Sequence, residues 1–209
     1  TVGGDFFDYL ELPDGAFAFT LGDVAGKGPP AALLAATVQS NFVAHAPVSH
    51  DPADAISRMN KSLLRRAIEA RFATMFYGAI AKDGTLQYCN AGQEAPALVR
   101  ADEIEWLEVG GPVIGLLDFA TYERGTATLQ PGDLILVCSD GITEARNMAG
   151  EEFGRDRLSA VLTTARGASP EAVLDQVMGA VRVFSQGTPQ GDDLTALVVR
   201  YTGTGVQSA

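Results

Sequence analysis

FTLGDVAGKG, residues 19–28, runs from alternating apolar residues into a glycine-rich turn, and Pro29-Pro30-Ala31 follows as the opening of a helix. Strand, glycine loop and helix form the layout that cradles phosphate. A Walker loop, however, needs four residues between its first glycine and the Gly-Lys pair, and then Ser or Thr. Here three residues separate Gly22 from Gly26, and Gly28 follows Lys27. The stretch also carries Asp23, an anion where a phosphate anion would have to go. With its upstream neighbours it reads instead as the second arm of a hairpin. Residues 6–12 (FFDYLEL) are strand-like, Pro13-Asp14-Gly15 is a turn, and Phe17, Phe19 and Leu21 share one face. Pairing about Asp14 sets Leu12 opposite Ala16 and Asp5 opposite Asp23.

Outward from this hairpin, residues 30–46 are rich in Ala and Leu and read as a helix. Asp51-Pro52 is an N-cap with proline at the first helical position, opening a second helix to about residues 66–69 with Ile56, Met59, Leu63 and Leu64 on one face. Strands at 74–82 and 85–90 are joined by Asp83-Gly84, a strong hairpin signal. Further strand-like pieces lie near 96–100, 104–108 and 121–129, and Pro131-Gly132-Asp133 is a turn. Leu134–Ser139 is a continuous apolar run, the pattern of a strand buried on both faces. Helices follow at 155–165 and from Ser169-Pro170 to about Phe184, and the last strand is 194–201. Strands, two helices, strands, two helices, strand is an α+β order with helices covering antiparallel sheet. Residues 1–202 read as a single domain and 203–209 as a frayed polar tail.

The chain has 209 residues, of which 46% are hydrophobic, enough for one sizeable core. Its formal net charge of −11 argues against nucleic acid or an acidic membrane as partner. The basic cluster Lys61, Arg65, Arg66 and Arg71 reads as a solvated helix face. Cys89 and Cys138 both lie in apolar strands and read as small buried hydrophobes, consistent with a reducing, cytoplasmic setting. No apolar run reaches the length of a membrane helix.

The carboxylates carry the chemistry. Asp5 and Asp23 are opposed across a hairpin mouth, where like charges repel. Asp140 ends the buried strand in CSDGITE, and Asp192-Asp193 begins the last strand in GDDLTALVV. In antiparallel neighbours the end of one strand meets the start of the other. Exposure to solvent relieves such repulsion, and so does a bound cation. No matching set of Arg or Lys is near in sequence, and a hard divalent ion, Mg²⁺ or Mn²⁺, is the natural partner of carboxylates and backbone carbonyls. The loop glycines let a carbonyl, that of Val24, turn toward such an ion.

VGGDFFD (2–8), GDVAGKG (22–28), ATMFYGAI (73–80), YCNAGQEAPAL (88–98), GPVIGL (111–116), LQPGDLILVCSDGITEA (129–145), FG (153–154) and GDDLTALVV (191–199) fall in order along nearly the whole chain. Together they resemble the bacterial metal-dependent Ser/Thr protein phosphatases of the PPM (type 2C) superfamily, in the branch of stage II sporulation protein E and the Rsb-type regulators. The resemblance implies an antiparallel β-sandwich of two sheets flanked by helix pairs, in αββα layers. It also implies two Mn²⁺ or Mg²⁺ ions and a water, activated between them, that attacks phosphorus in line. By the resemblance, Asp23 bridges both ions, the Val24 carbonyl holds the second, Asp140 and Asp192 hold the first, Asp5 positions water, and Asp193 ranks below Asp192.

The same resemblance implies a phosphorylated STAS-type anti-anti-sigma substrate in partner switching, with an upstream sensor or receiver domain in a longer chain. A first strand is expected ahead of Thr1, and the two helices at 30–46 and 52–68 are the surface for docking or homodimerisation. Two positions depart from the pattern. Ala25 stands where eukaryotic relatives carry a His thought to be a general acid, leaving a water or Lys27 for that task. Gln93 replaces the His of NAGH in the branch, with its role open. Ser139 and Cys138 have no adjacent base and are not expected as nucleophiles, and His45 and His50 match no motif. The alternative reading is a non-catalytic or conditionally active signalling module on the same fold; a small-molecule phosphohydrolase would need an enclosed specific pocket that the sequence does not display.

Overall fold

The computed structural model describes residues 3–49, 51–65, 72–203 and 206–208. In chain order the elements are β1 (Phe6–Glu11), β2 (Phe17–Val24), α1 (Pro29–His45), α2 (Pro52–Leu64), β3 (Ala73–Ile80), β4 (Thr85–Ala91), β5 (Ala97–Val99) and β6 (Ile104–Trp106). They continue with β7 (Gly110–Gly111), β8 (Gly125–Thr128), β9 (Leu134–Cys138), α3 (Asp140–Thr143), α4 (Gly154–Thr164), α5 (Pro170–Phe184), β10 (Ala196–Tyr201) and β11 (Val206–Ser208). The fold class is α+β, and the chain forms two compact units, Thr1–Ala95 with Leu107–Leu129, and Pro96–Trp106 with Gln130–Ala209. Among the described residues no helix is long and apolar enough to cross a membrane.

The first unit holds a six-stranded sheet in the order β1-β2-β3-β4-β7, with β8 also on β4. The β1–β2 register runs from Phe6 opposite Gly22 to Glu11 opposite Phe17, the pairing expected about Asp14. The turn is closed by Leu12 N–H to the Ala16 carbonyl at 2.8 Å, with Gly15 at φ 81°. The second tight hairpin turns at Gly84, φ 86°, where Asp83 Oδ1 accepts from Thr85 N–H at 2.9 Å. Alternate residues Ala73, Met75 and Tyr77 of β3 face the apolar sides of α1 and α2, represented by Leu34, Val38, Phe42, Ile56, Met59 and Leu63. Burying side chains of this size stabilises the fold by about 1.5–3 kcal/mol each. Asp51 caps α2 through Ala53 N–H at 2.8 Å. Asn60 ties α2 to the following loop, accepting from Gly115 N–H at 2.7 Å and donating to the Leu117 carbonyl at 2.9 Å.

The second unit holds a five-stranded sheet, β11-β10-β9-β5-β6. All five residues of β9 are buried, which explains the unbroken apolar run. Leu134, Leu136 and Cys138 pack with Leu158 and Leu162 of α4 and Val173, Val177 and Val181 of α5. Ser169 caps α5 through Ala172 N–H at 3.3 Å.

The differences from the sequence reading are local. The strand expected over 121–129 contracts to β8, because residues 121–123 run beside β7 instead of β4, with Glu123 N–H donating to the Gly110 carbonyl at 3.0 Å. A β-carbon at Gly125 would fall 2.2 Å from the Tyr88 ring. An unexpected strand, β7, pairs parallel with Asn90 and Ala91, so the sheet is not wholly antiparallel. Two glycines permit it, since a β-carbon at Gly110 would sit 1.9 Å from the Asn90 carbonyl oxygen. Within the stretch read as a frayed tail, Val206–Ser208 pairs antiparallel with β10 and satisfies that strand's outer backbone groups. Lys61 and Arg65 are exposed as expected, whereas Arg66, Arg71, His50 and the expected helix end at 66–69 lie outside the described residues.

Both cysteines are buried, and burial pushes the Cys89 thiol up to about 12. Burial raises the Tyr77 and Tyr122 hydroxyls as well. An unfolded thiol ionises near pH 8.5, so unfolding above that pH releases a proton and stability falls as pH rises. A thiol reagent at pH 8 should therefore find no fast-reacting cysteine until denaturant is added. The urea midpoint should be lower at pH 10 than at pH 8.

Candidate functional site

In the first unit the hairpin register continues past β1. Phe6 opposes Gly22, and Val24 N–H donates to the Gly4 carbonyl at 3.3 Å. Asp5 and Asp23, bracketed by these two pairs, face each other at the hairpin mouth. Both are half-buried, and Asp5 turns Oδ2 away from solvent. A β-carbon on Gly4 would lie 2.5 Å from the Val24 carbonyl oxygen and 2.7 Å from Asp23 Oδ1. Those two oxygens thus converge over the one residue type that leaves the space between them open. A neutral carbonyl beside carboxylate oxygens is the donor set of a hard divalent cation.

Asp23 is held from behind. Its N–H donates to Thr74 Oγ1 at 3.2 Å, across the β2–β3 pair that sets Asp23 opposite Thr74. The Thr74 hydroxyl donates in turn to Gln93 Oε1 at 2.5 Å. Gln93 is buried and is fixed by Asn90, whose Oδ1 accepts from Gln93 N–H at 2.8 Å and whose Nδ2 donates to the Gln93 carbonyl at 3.0 Å. Gln93 therefore acts through Thr74 on the backbone of Asp23. Sequence reasoning singled out Gln93 and left its task open, and it missed Thr74 and Asn90. Both lie in the quoted ATMFY and YCNAGQ stretches, but only the cross-strand register shows what they touch.

In the second unit Asp140 is the first residue of α3, where β9 ends, and it is exposed. Ser139, fully buried, ties this end to the start of β10. Its N–H donates to the Thr195 carbonyl at 2.9 Å, its Oγ donates to the Asp193 carbonyl at 3.2 Å, and Oγ accepts from Thr195 N–H at 3.1 Å. That hydroxyl is committed to structure, as expected of a serine without a base. Gly141 permits the approach, since a β-carbon there would fall 2.0 Å from the Asp193 carbonyl oxygen. Asp140 and Asp192 line one cleft of about 730 Å³, with Glu144, Arg146 and Arg182 also on its wall. Asp192 Oδ1 accepts from Asp193 N–H at 2.9 Å, and Gln190 Nε2 donates to the Asp192 carbonyl at 2.8 Å. Asp193 is half-buried, and it is its main-chain carbonyl that meets Ser139.

The expected carboxylates thus divide between the units, Asp5 and Asp23 in the first, Asp140, Asp192 and Asp193 in the second. Within either unit, among the described residues, no three His, Cys, Asp or Glu side chains gather as a metal site. Lys27 is exposed in the loop after Val24, and His45 is half-buried at the end of α1.

Comparison with known proteins identifies the family and the fold. The model of the family described as Stage II sporulation protein E (SpoIIE) matches residues 13–202. Protein IcfG of Synechocystis sp. is 28% identical over an alignment covering 95% of this chain and 36% of that protein. The phosphoserine phosphatase RsbU of Bacillus subtilis is 26% identical, over 71% of this chain and 45% of its own. The chain spans less than half the length of these curated relatives. The solved PP2C domain of SiaA from Pseudomonas aeruginosa superposes with a TM-score of 0.86 at 22% identity, covering 96% of this chain and 81% of that one, and so shares the fold.

The Thr74 bridge has a measurable consequence. Thr74→Val keeps the shape and removes the hydroxyl, leaving the Asp23 N–H and Gln93 Oε1 without this partner. Loss of a buried partner costs about 1–3 kcal/mol. The urea midpoint should fall accordingly, and Thr74→Ser, which keeps the hydroxyl, should recover most of the loss.

Proposed function

The chain belongs to the stage II sporulation protein E family, and on that footing we propose that it is a metal-dependent phosphoserine/phosphothreonine protein phosphatase. The observation that carries the reading is the convergence of the Val24 carbonyl and the Asp23 carboxylate over Gly4. Asp23 and the Val24 carbonyl in the first unit, and Asp140 and Asp192 in the second, are the proposed ligands of Mn²⁺ or Mg²⁺ ions, two in number by the family reading, with Asp5 proposed next to Asp23 and Asp193 next to Asp192. When bound, such ions supply Lewis-acid charge that neutralises phosphoryl oxygens and lowers the pKa of water. The protein's own part is to hold its oxygens in place before the substrate arrives. Thr74 and Gln93 fix Asp23 from behind, and Ser139 fixes the strand ends that carry Asp140 and Asp192. No side-chain nucleophile is required, consistent with the commitment of the Ser139 hydroxyl to main-chain carbonyls.

The substrate we propose is a phosphorylated STAS-type anti-anti-sigma protein, acted on within a partner-switching circuit. Support comes from the family and from the RsbU relative, named a phosphoserine phosphatase. Ala25 offers no proton, so the leaving serine or threonine oxygen takes one from water or from Lys27, two residues further along the exposed loop.

Phosphate release from a phosphoserine peptide and from an aryl phosphate, with and without millimolar Mn²⁺, tests the reading. Turnover should require the ion. Changes to residues that merely orient metal ligands cost about 10–100-fold. Asp140→Asn and Asp192→Asn, at the ligands themselves, should lose at least about a hundredfold. Absence of turnover together with absence of Mn²⁺ binding by calorimetry would leave a signalling module on the same fold instead.

A further inference from the structure

At the other end of the second unit's sheet lies a recess of about 220 Å³ whose walls include Arg100, Arg166 and Arg200. Arg200 stands opposite Leu134, the first residue of β9, whereas Asp140 follows the last. The six steps from 134 to 140, at about 3.3 Å per residue, put the recess roughly 20 Å from Asp140. It is a separate place in the molecule, with the opposite charge.

The three arginines are not equivalent. Arg100 is neutralised. Its Nη1 lies 3.1 Å from Asp133 Oδ2 and its Nη2 lies 3.1 Å from Glu105 Oε2, with Glu103 at 4.0 Å from Nε. Asp133 is itself buried, and the same Oδ2 also accepts from Gln130 N–H at 2.9 Å, so its carboxylate is spent. Arg200 uses Nη2 to donate to the Ala168 carbonyl. Its Nε is buried and, among the described residues, meets no acceptor, and the same holds for Arg166 Nε. Glu171, exposed on the first turn of α5, is within electrostatic range of Arg200.

Two arginines of one recess thus each carry a buried Nε–H that meets no acceptor among the described residues. A buried donor left unsatisfied costs about 1–3 kcal/mol, so such groups are ordinarily paired. Guanidinium is the side chain best suited to a planar or tetrahedral oxyanion, because its forked donors match two oxygens at once. A net charge of −11 repels anions in general, so this recess is set apart as a place where two arginines, neither in a side-chain ion pair among the described residues, line one cavity. We propose that Arg166 and Arg200 bind a phosphate-class oxyanion in this recess, either free phosphate or a phosphate monoester group.

The test is run on the full chain with chelator present, so that phosphate cannot be held through metal ions and the result is independent of the phosphatase reading. Inorganic phosphate and O-phosphoserine are added separately, against sodium chloride at equal ionic strength. At ten times the dissociation constant the melting temperature should rise by on the order of 3 °C. The arginine Nε–H resonances of Arg166 and Arg200 should shift with the same saturation curve. A response to phosphate and to phosphoserine identifies the shared group, and a response to only one identifies its source. Arg166→Met should abolish the melting shift, and the Nε resonances provide the readout in wild type should the variant fold poorly. Equal responses to chloride and phosphate, or a phosphate shift unchanged in Arg166→Met, would overturn the proposal.

Discussion

Asp5 and Asp23 face each other at the open end of the β1–β2 hairpin, and two like charges so placed repel. The chain keeps them there because the register leaves no alternative. The turn from Leu12 to Ala16 sets the pairing, and the Gly4 carbonyl accepts from Val24 N–H beyond it. A slip of one residue would send Phe19 and Leu21, both fully buried, to the opposite face of β2. The burial of alternating apolar residues along the strand therefore enforces the juxtaposition of carboxylates at its end. The core supplies the free energy, and the site inherits the geometry.

The second unit repeats the logic with a different fastening. There the two carboxylate-bearing ends are joined by Ser139, which uses backbone and hydroxyl together to lock Asp193 and Thr195 beside it. The strands between are buried on both sides, so their polar residues are confined to the ends. One end of β9 and β10 carries Asp140 and Asp192, and the other meets Asp133, Arg100 and Arg200. Charge segregation along this sheet follows from a middle that tolerates only Leu, Ile, Val, Ala and Cys.

What the sequence made legible follows from the range of the interactions. Asp14-Gly15 and Asp83-Gly84 are local turn chemistry, Asp51 and Ser169 are local caps, and each sits where its neighbours require it. The register of β1 with β2 was readable because the turn is short. By contrast, β7 depends on Gly110 meeting Asn90, and β8 begins where Gly125 clears the Tyr88 ring. Those meetings join residues about twenty or more positions apart, and nothing within one window of sequence announces them. The bridge from Gln93 through Thr74 to Asp23 is of the same kind. Its members were visible as motif residues, yet their task exists only in the pairing of β2, β3 and β4. The carboxylates themselves were readable as residues near strand ends, two in one unit and three in the other, although β10 starts only at Ala196 and leaves Asp192 and Asp193 in the loop before it.

The glycine-rich stretch at 19–28 can now be assigned a physical meaning. Gly22 lies within β2, where a β-carbon would fall 2.3 Å from the Thr74 carbonyl and 2.6 Å from the Phe6 ring, so it serves close packing between strands. Gly26 and Gly28, at φ 106° and 82°, serve the turn. A phosphate-cradling loop offers main-chain N–H groups at the start of its helix, but Pro29 and Pro30 have none there. The next two, those of Ala31 and Ala32, both donate to the Gly28 carbonyl, at 3.0 and 3.2 Å. The helix start is thus stripped of donors just where the strand end presents acceptors, Asp23 and the Val24 carbonyl. Oxygen acceptors without N–H donors repel a bare phosphate and attract a cation. The same strand, glycine loop and helix that elsewhere grips an anion is here inverted in sign, by two prolines and one aspartate.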